Sequence, residues 1–368
     1  MAEASSWTRR PSRFRVPYAT ERPAARWSCL RRPASPGMCG TWARSASRQP
    51  SPTTRLWERD RSGRQCVTNS EARWDLPDPL STVEVPVDDD TTITVRRHGN
   101  PDGPRIVLSH GNGLAIDLYY PFWSLLTGEF DLFVYDLRNH GRNVLGPLAG
   151  HNVPALARDQ DVVLAAIDEH YGAKPKVGVF HSISALATLM SPSNGSELDA
   201  LVLFDPPLRK PGFTHDEYDD VAIRMAALAR QRMHRFASRQ EFSELAQFSP
   251  NFRGVVPGVL ELLADTTLRP LADEDGYELS CPREYEAQMI EYARIFAIGV
   301  DLLTYGSPVK VVGADPTLPY SYLPTLDFSE MVGVDYDFLP DATHFLQLEQ
   351  PENCAAVMRE FIAGLGTI

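Results

Sequence analysis

From about residue 80 onward, short apolar blocks alternate with stretches whose apolar residues recur every three to four positions. Arg105-Ile106-Val107-Leu108, Asp131-Leu132-Phe133-Val134-Tyr135, Lys176-Val177-Gly178-Val179-Phe180, Ala200-Leu201-Val202-Leu203-Phe204 and Val309-Lys310-Val311-Val312 are such blocks, and a last one spans Val334 to Leu339. Blocks this short and rich in β-branched and aromatic residues predict buried strands, and their alternation with helical stretches predicts a mostly parallel sheet covered by helices. Val83–Val87 and Thr91–Arg97, split by the solvated turn Asp88-Asp89-Asp90, predict an opening antiparallel hairpin. Helices are predicted over Pro154–His170, ending at Gly172, and over Pro351–Ile362, ending at Gly364. Each has proline early and glycine late, as helix ends prefer. Cys354, Val357, Met358, Phe361 and Ile362 form the core face of the second.

The alternation breaks between Pro207 and about Leu303, where nearly a hundred mostly helical residues intervene between two strands. The segment reads as an inserted helical cap over residues 207–303, dividing the body into 75–206 and 304–368. Val221, Met225, Leu228 and Ala229 form one apolar stripe in it, and Tyr285, Met289, Tyr292, Phe296 and Leu303 another. Both are read first as packing surfaces, with pocket lining the second reading.

Composition changes the picture at one end. The net charge is −12, yet the first 74 residues hold 15 Arg, no Lys and five acids, while the remainder holds 21 basic and 43 acidic residues. An acidic body argues against nucleic acid as a partner, because phosphate backbones are bound by clustered Lys and Arg. Residues 1–74 lack apolar periodicity and are expected to be a disordered extension. The five cysteines show neither a disulfide framework nor metal-ligand spacing, which reads as a reducing, cytoplasmic setting without structural metal. An Arg-rich, acid-poor leader would instead direct the chain to the mitochondrial matrix. No apolar run approaches the roughly 18 residues of a membrane span.

The candidate chemistry lies at strand exits. The strand ending at Phe180 runs directly into His181-Ser182-Ile183-Ser184-Ala185-Leu186, where a helical pattern starts, so the chain must turn sharply near Ser182. A serine on such a turn projects its hydroxyl above the sheet, and helix-start N–H groups can stabilise an oxyanion. The hydroxyl needs a base, and the base needs an orienting acid. His344 follows the last strand; Asp315 follows Val309–Val312, and Asp205 ends Ala200–Phe204. Asp273-Glu274-Asp275-Gly276 lacks the ligands of a calcium loop and reads as a solvated turn.

His110-Gly111-Asn112-Gly113, Asp136-Leu137-Arg138-Asn139-His140-Gly141, the serine turn, Asp315, and His344-Phe345 with Glu349 and Pro351 occur in an order that resembles the α/β-hydrolase superfamily from about residue 80 to the C-terminus. The resemblance implies an eight-stranded, mostly parallel sheet flanked by helices. It also implies Ser182 as nucleophile, His344 as general base and Asp315 as its orienter, with Asp205 the alternative acid. The backbone N–H groups of Asn112 and Ile183 would form the oxyanion hole, and His110 and Asp136 would organise loops. One departure is Phe180, which stands where a small residue is usual and fits only with its ring turned into the core. The expected activity is hydrolysis of an ester or related acyl bond in a small, largely apolar substrate, requiring no cofactor or metal. Carbon–carbon bond hydrolysis, acyl transfer and non-catalytic ligand binding are the alternatives.

Overall fold

The computed structural model describes residues 57–59, 65–67, 73–208, 215–297, 300, 302, 305–318 and 335–366. Most of the expected N-terminal extension therefore lies outside the described residues. Within it, Trp57–Arg59 pairs antiparallel with Gln65–Val67. Trp74, assigned to the extension from sequence, belongs to the body: its indole N–H donates to Pro257 O at 2.9 Å and its ring meets Tyr120 edge-on.

The body is built on eight strands, β1 (Ser81–Pro86), β2 (Thr92–Gly99), β3 (Arg105–Ser109), β4 (Asp131–Tyr135), β5 (Lys176–His181), β6 (Ala200–Phe204), β7 (Val309–Gly313) and β8 (Asp335–Phe338). Their order in the sheet is β8-β7-β6-β5-β3-β4-β2-β1. Every neighbouring pair is parallel except β1 with β2 and β2 with β4. All residues of β3 to β6 are buried, as strands covered on both faces require, whereas β1 alternates. The chain leaves β3 toward β4 on one side and returns to place β5 on the other, so a crevice opens at the carboxyl ends of β3 and β5.

Helix α1 (Val153–Tyr171) starts where the Asn152 side chain accepts from Ala155 N at 2.9 Å and ends at Gly172, whose φ is 80°. A second helix, α2 (Ile183–Leu189), follows β5 directly. The insertion between β6 and β7 carries α3 (His215–Gln231), α4 (Arg239–Ala246), α5 (Val259–Thr267) and α6 (Arg283–Phe296). It is less purely helical than its pattern suggests, because Leu268–Pro270, Tyr277–Leu279 and Arg235–Phe236 form a small antiparallel sheet. The acidic run Asp273–Gly276 closes its hairpin, with Leu271 N donating to Gly276 O. The last helix, α7 (Pro351–Leu365), runs through Gly364 and stops at the left-handed Gly366. Cys354, Met358 and Ile362 are its buried face. Among the described residues no helix is long and apolar enough to cross a membrane.

The end of the sheet opposite the crevice is tied by charge. Asp131, fully buried at the start of β4, accepts from Arg97 Nε of β2 at 2.6 Å and from Arg105 Nε of β3 at 3.4 Å. Removing one member of such a cluster leaves buried charge uncompensated. Asp131→Asn is expected to lower unfolding stability in urea by about 3 kcal/mol. An unchanged midpoint would mean the cluster contributes nothing net.

Candidate active site

Ser182 is the junction of β5 and α2, with φ 54° and ψ −117°. A non-glycine residue in this region stores about 1–3 kcal/mol and persists only where its surroundings over-determine it. Here they do: Ser182 N donates to Phe204 O at 2.9 Å, and Ser184 Oγ bonds both the N–H and the carbonyl of His181 at 3.0 and 2.9 Å. Phe180 is fully buried with its ring in the core. Room for it comes from Gly178, where a Cβ would stand 2.5 Å from the Phe180 ring.

Two of the three residues expected to act together lie within hydrogen-bond distance, and the place of the third is taken by another residue. His344 Nε2 lies 3.1 Å from Ser182 Oγ, while His344 Nδ1 lies 2.6 Å from Asp205 Oδ2. All three side chains are buried. The expectation that Asp315 orients His344 is therefore corrected: Asp205, the alternative, occupies that place. The Asp315 carboxylate is turned into its own loop, accepting from Thr317 N, Thr317 Oγ1 and Asp341 N at 2.8, 2.6 and 2.8 Å. These donors hold its pKa below the usual carboxylate value. Asp315-Pro316-Thr317 is a sequence in which an aspartate bonds the backbone two residues on, a signal that could have separated the two acids. Asp205 has φ 39°, and its Oδ1 accepts from Ala314 N at 3.3 Å.

Because a carboxylate only accepts, His344 Nδ1 carries the proton and Nε2 offers its lone pair to the Ser182 hydroxyl. The His344 loop is fixed by Glu349, which accepts from Thr343 N and Oγ1 at 2.6 and 2.5 Å. Burial raises the Glu349 pKa against the lowering effect of these bonds.

Gly111 packs so closely on the serine turn that a Cβ there would be 2.7 Å from His181 Nδ1 and 3.3 Å from Ser182 Cβ. The loop after β3 is shaped by two buried histidines. His110 Nδ1–H donates to Gly111 O at 2.8 Å and its Nε2 accepts from Leu137 N at 3.0 Å. His140 Nδ1–H donates to Arg138 O at 2.9 Å and its Nε2 accepts from Gly113 N at 3.0 Å. Burial lowers their pKa values to about 4 and about 3. Asp136 organises the neighbouring loop, accepting from Ile116 N and Arg142 N at 2.8 and 3.1 Å. Asn112 and Ile183 line the same cavity as Ser182. Ile183 opens α2, where N–H groups lack partners within the helix. Asn112 Nδ2 donates to Glu286 O at 2.9 Å.

One grouping among the described residues has metal-ligand types: one ligand atom each of His140, His151 and Cys281 lies within 4.8 Å of the others. Its hydrogen bonds do not suit an ion. The His140 Nε2 lone pair is taken by Gly113 N–H. Asn139 Oδ1 accepts from Gly146 N at 2.6 Å, which turns Asn139 Nδ2 toward His151 Nδ1 at 3.1 Å and leaves the proton of His151 on Nε2. Burial pushes the Cys281 thiol well up.

The cavity over Ser182 measures about 400 Å³. Val221, Met225, Leu228 and Ala229 of α3 line it, so that stripe faces the pocket, in correction of the packing role read first. The Tyr285 stripe of α6 packs as expected: Met289, Tyr292 and Phe296 join the core, and Tyr285 Oη donates to Gly146 O at 2.9 Å. Leu303 lies outside the described residues. The adjoining face of α6 supplies Glu286, Ile290 and Ala293 to the cavity. Glu286 pairs with Arg232 at 2.6 Å; burial raises its pKa while Arg232 opposes the rise. Sequence reasoning did not find this pair, since neither residue stands in a motif.

A family model described as the alpha/beta hydrolase family matches residues 106–357. No curated protein matches the chain. Among solved structures, E-2-(acetamidomethylene)succinate hydrolase is similar at 19% identity and a TM-score of 0.61, covering 77% of this chain and 99% of its own. A malate-bound thermophilic esterase from Thermogutta terrifontis aligns at 19% identity and 0.54, covering 78% and 100%. A thioesterase domain from the curacin biosynthetic pathway aligns at 15% and 0.56, covering 76% and 99%. Likeness at these identities is likeness of fold.

The two loop histidines give a test of this wiring. Long-range proton–nitrogen correlation spectra of histidine-labelled protein are expected to keep His110 and His140 neutral and in the Nδ1–H form from about pH 8 to about pH 5. Titration of either ring near the ordinary value of 6.5 would show that it is not held as described.

Proposed function

The chain belongs to the alpha/beta hydrolase family, and on that premise we propose that it is a serine hydrolase cleaving an ester or related acyl bond of a small, largely apolar substrate. The observation that carries this reading is His344 bridging Ser182 and Asp205 through its two ring nitrogens.

Ser182 Oγ attacks the substrate carbonyl carbon as His344 Nε2 takes the hydroxyl proton. The imidazolium so formed is stabilised by Asp205, and the oxyanion is received by the N–H groups of Ile183 and Asn112. Collapse of the tetrahedral intermediate breaks the bond to the leaving group, which departs with the proton from Nε2. Water, deprotonated by the same nitrogen, then attacks the acyl-serine ester and releases the acid and the free hydroxyl. None of these steps uses a cofactor. Selectivity is assigned to the α3 and α6 walls, whose Val221, Met225, Leu228, Ile290 and Ala293 favour an apolar acyl or alcohol group.

A fluorophosphonate probe is expected to label the wild-type protein and to leave Ser182→Ala unlabelled. Tight binding of a small ligand without labelling would instead favour a non-catalytic binding protein. On p-nitrophenyl acetate, Asp205→Asn is expected to lower kcat by about 10⁴-fold and Asp315→Asn by less than about tenfold. Equal losses would undo the assignment of the acid. Met225→Trp, which fills the apolar wall, is expected to shift preference among p-nitrophenyl esters toward shorter acyl chains; an unchanged profile would place the acyl group elsewhere.

A further inference from the structure

Beside Ser182, a line of hydrogen bonds joins three segments far apart in sequence. Gly111 N–H donates to Tyr119 Oη at 3.2 Å, Tyr119 Oη lies 2.7 Å from His181 Nδ1, and His181 Nε2 lies 2.8 Å from His344 O. Tyr119 and His181 are almost fully buried. We infer that Tyr119 and His181 are positioning residues, which set the backbone of His344 and the loop of Gly111 against the serine turn in one register.

The polarity of the line can run only one way. The His344 carbonyl can only accept, so His181 Nε2 must carry the proton. A neutral imidazole has one such proton, so Nδ1 must accept, and the Tyr119 hydroxyl must donate to it. The lone pairs of that hydroxyl are then free for Gly111 N–H, which can only donate. Donor at one end and acceptor at the other thus force a single tautomer. Burial, with the neighbouring His344 acting in the same direction, holds the His181 pKa well below its ordinary value and keeps the ring neutral. Neutrality matters because its ring centroid is 4.7 Å from that of His344, and a charged His181 would oppose the imidazolium formed there. Without the Tyr119 hydroxyl the His344 carbonyl still keeps the proton on Nε2, since a bare Nε2 would set two lone pairs against each other, but Nδ1 loses its donor and the ring loses its tie to the Gly111 loop.

The inference rests on the hydrolase reading above, and its effect is expected in turnover, since a misplacement of about 1 Å at a reacting group costs about 10²-fold. Three variants separate the links. Tyr119→Phe removes one oxygen from a ring that otherwise stays packed, and is expected to lower kcat on p-nitrophenyl acetate by about 10- to 100-fold with KM changed less than about twofold. His181→Leu removes both links and is expected to lose at least as much. His181→Gln, which restores a donor facing His344 O, is expected to recover part of that loss. Proton–nitrogen correlation spectra are expected to show His181 solely as the Nε2–H tautomer in the wild type, and in Tyr119→Phe to move the Nδ1 resonance toward that of a lone pair without a hydrogen bond, which a tyrosine not bonded to the ring would not produce. Wild-type kcat in Tyr119→Phe, a loss confined to KM, or an Nδ1–H tautomer in the wild type would each overturn the inference. A wild-type protein that neither turns over ester nor reacts with fluorophosphonate would sink the hydrolase reading, and the inference with it. Should His181→Leu fail to fold, Tyr119→Phe and the wild-type tautomer still decide the matter.

Discussion

An imidazole can exchange a proton with a neighbouring hydroxyl on demand only if its ring cannot turn, and the bond from His344 Nδ1 to Asp205 is what stops it. That bond depends on two residues at the ends of adjacent strands holding backbone angles that L-residues disfavour, Ser182 at φ 54° and Asp205 at φ 39°. What holds them is the sheet itself. Ser182 N donates to Phe204 O of β6 and Asp205 N to Val312 O of β7, so each residue leaves its strand while its N–H remains in the ladder. The strain is over-determined by neighbouring strands, which is the condition under which such angles survive at functional sites. Asp315 N likewise donates to Ala342 O, two residues before His344. Three successive strand ends are thus pinned to the next segment across the sheet, and the serine, the acid and the histidine loop inherit their spacing from that ladder.

The middle of the sheet was legible in the chain because burial on both faces imposes a local signature: β3 to β6 are fully buried apolar blocks, whereas β1 alternates and β8 at the far edge is mostly exposed. The helix ends were less so. Gly364, read as a terminator, lies inside α7 because nothing in the sequence distinguishes a tolerated helical glycine from the left-handed one two residues later. Of the site, Ser182 and His344 could be read from strand–helix and strand–loop junctions. The acid could not be settled by strand exits alone, since Asp205 and Asp315 both follow strands. The choice is made by side-chain direction, and Asp315 turns away because Thr317 and Asp341 offer it three donors close at hand. The cavity walls were harder still. An apolar stripe looks the same whether it meets another helix or an open pocket, and Ala229 of α3 and Ala293 of α6 do both.

The histidines beside the site share a use that charge would spoil. His110, His140 and His181 are kept neutral chiefly by burial, and each spends both ring nitrogens on fixed partners. His110 spans Gly111 O and Leu137 N; His140 spans Arg138 O and Gly113 N; His181 spans Tyr119 Oη and His344 O. A neutral imidazole is a rigid plate with one donor and one acceptor at fixed separation, so it can hold two polar groups at a set distance in a space that excludes water. Lysine or arginine could only donate, and burial would penalise their charge. An amide offers the same pairing on a more flexible stem. Placed around a turn where Gly111 already touches His181, these plates set the positions of backbone groups that the proposed oxyanion chemistry depends on. Their neutrality also leaves Asp205 to answer the positive charge that the proposed mechanism develops on His344, with no opposing charge from the tilted ring 4.7 Å away.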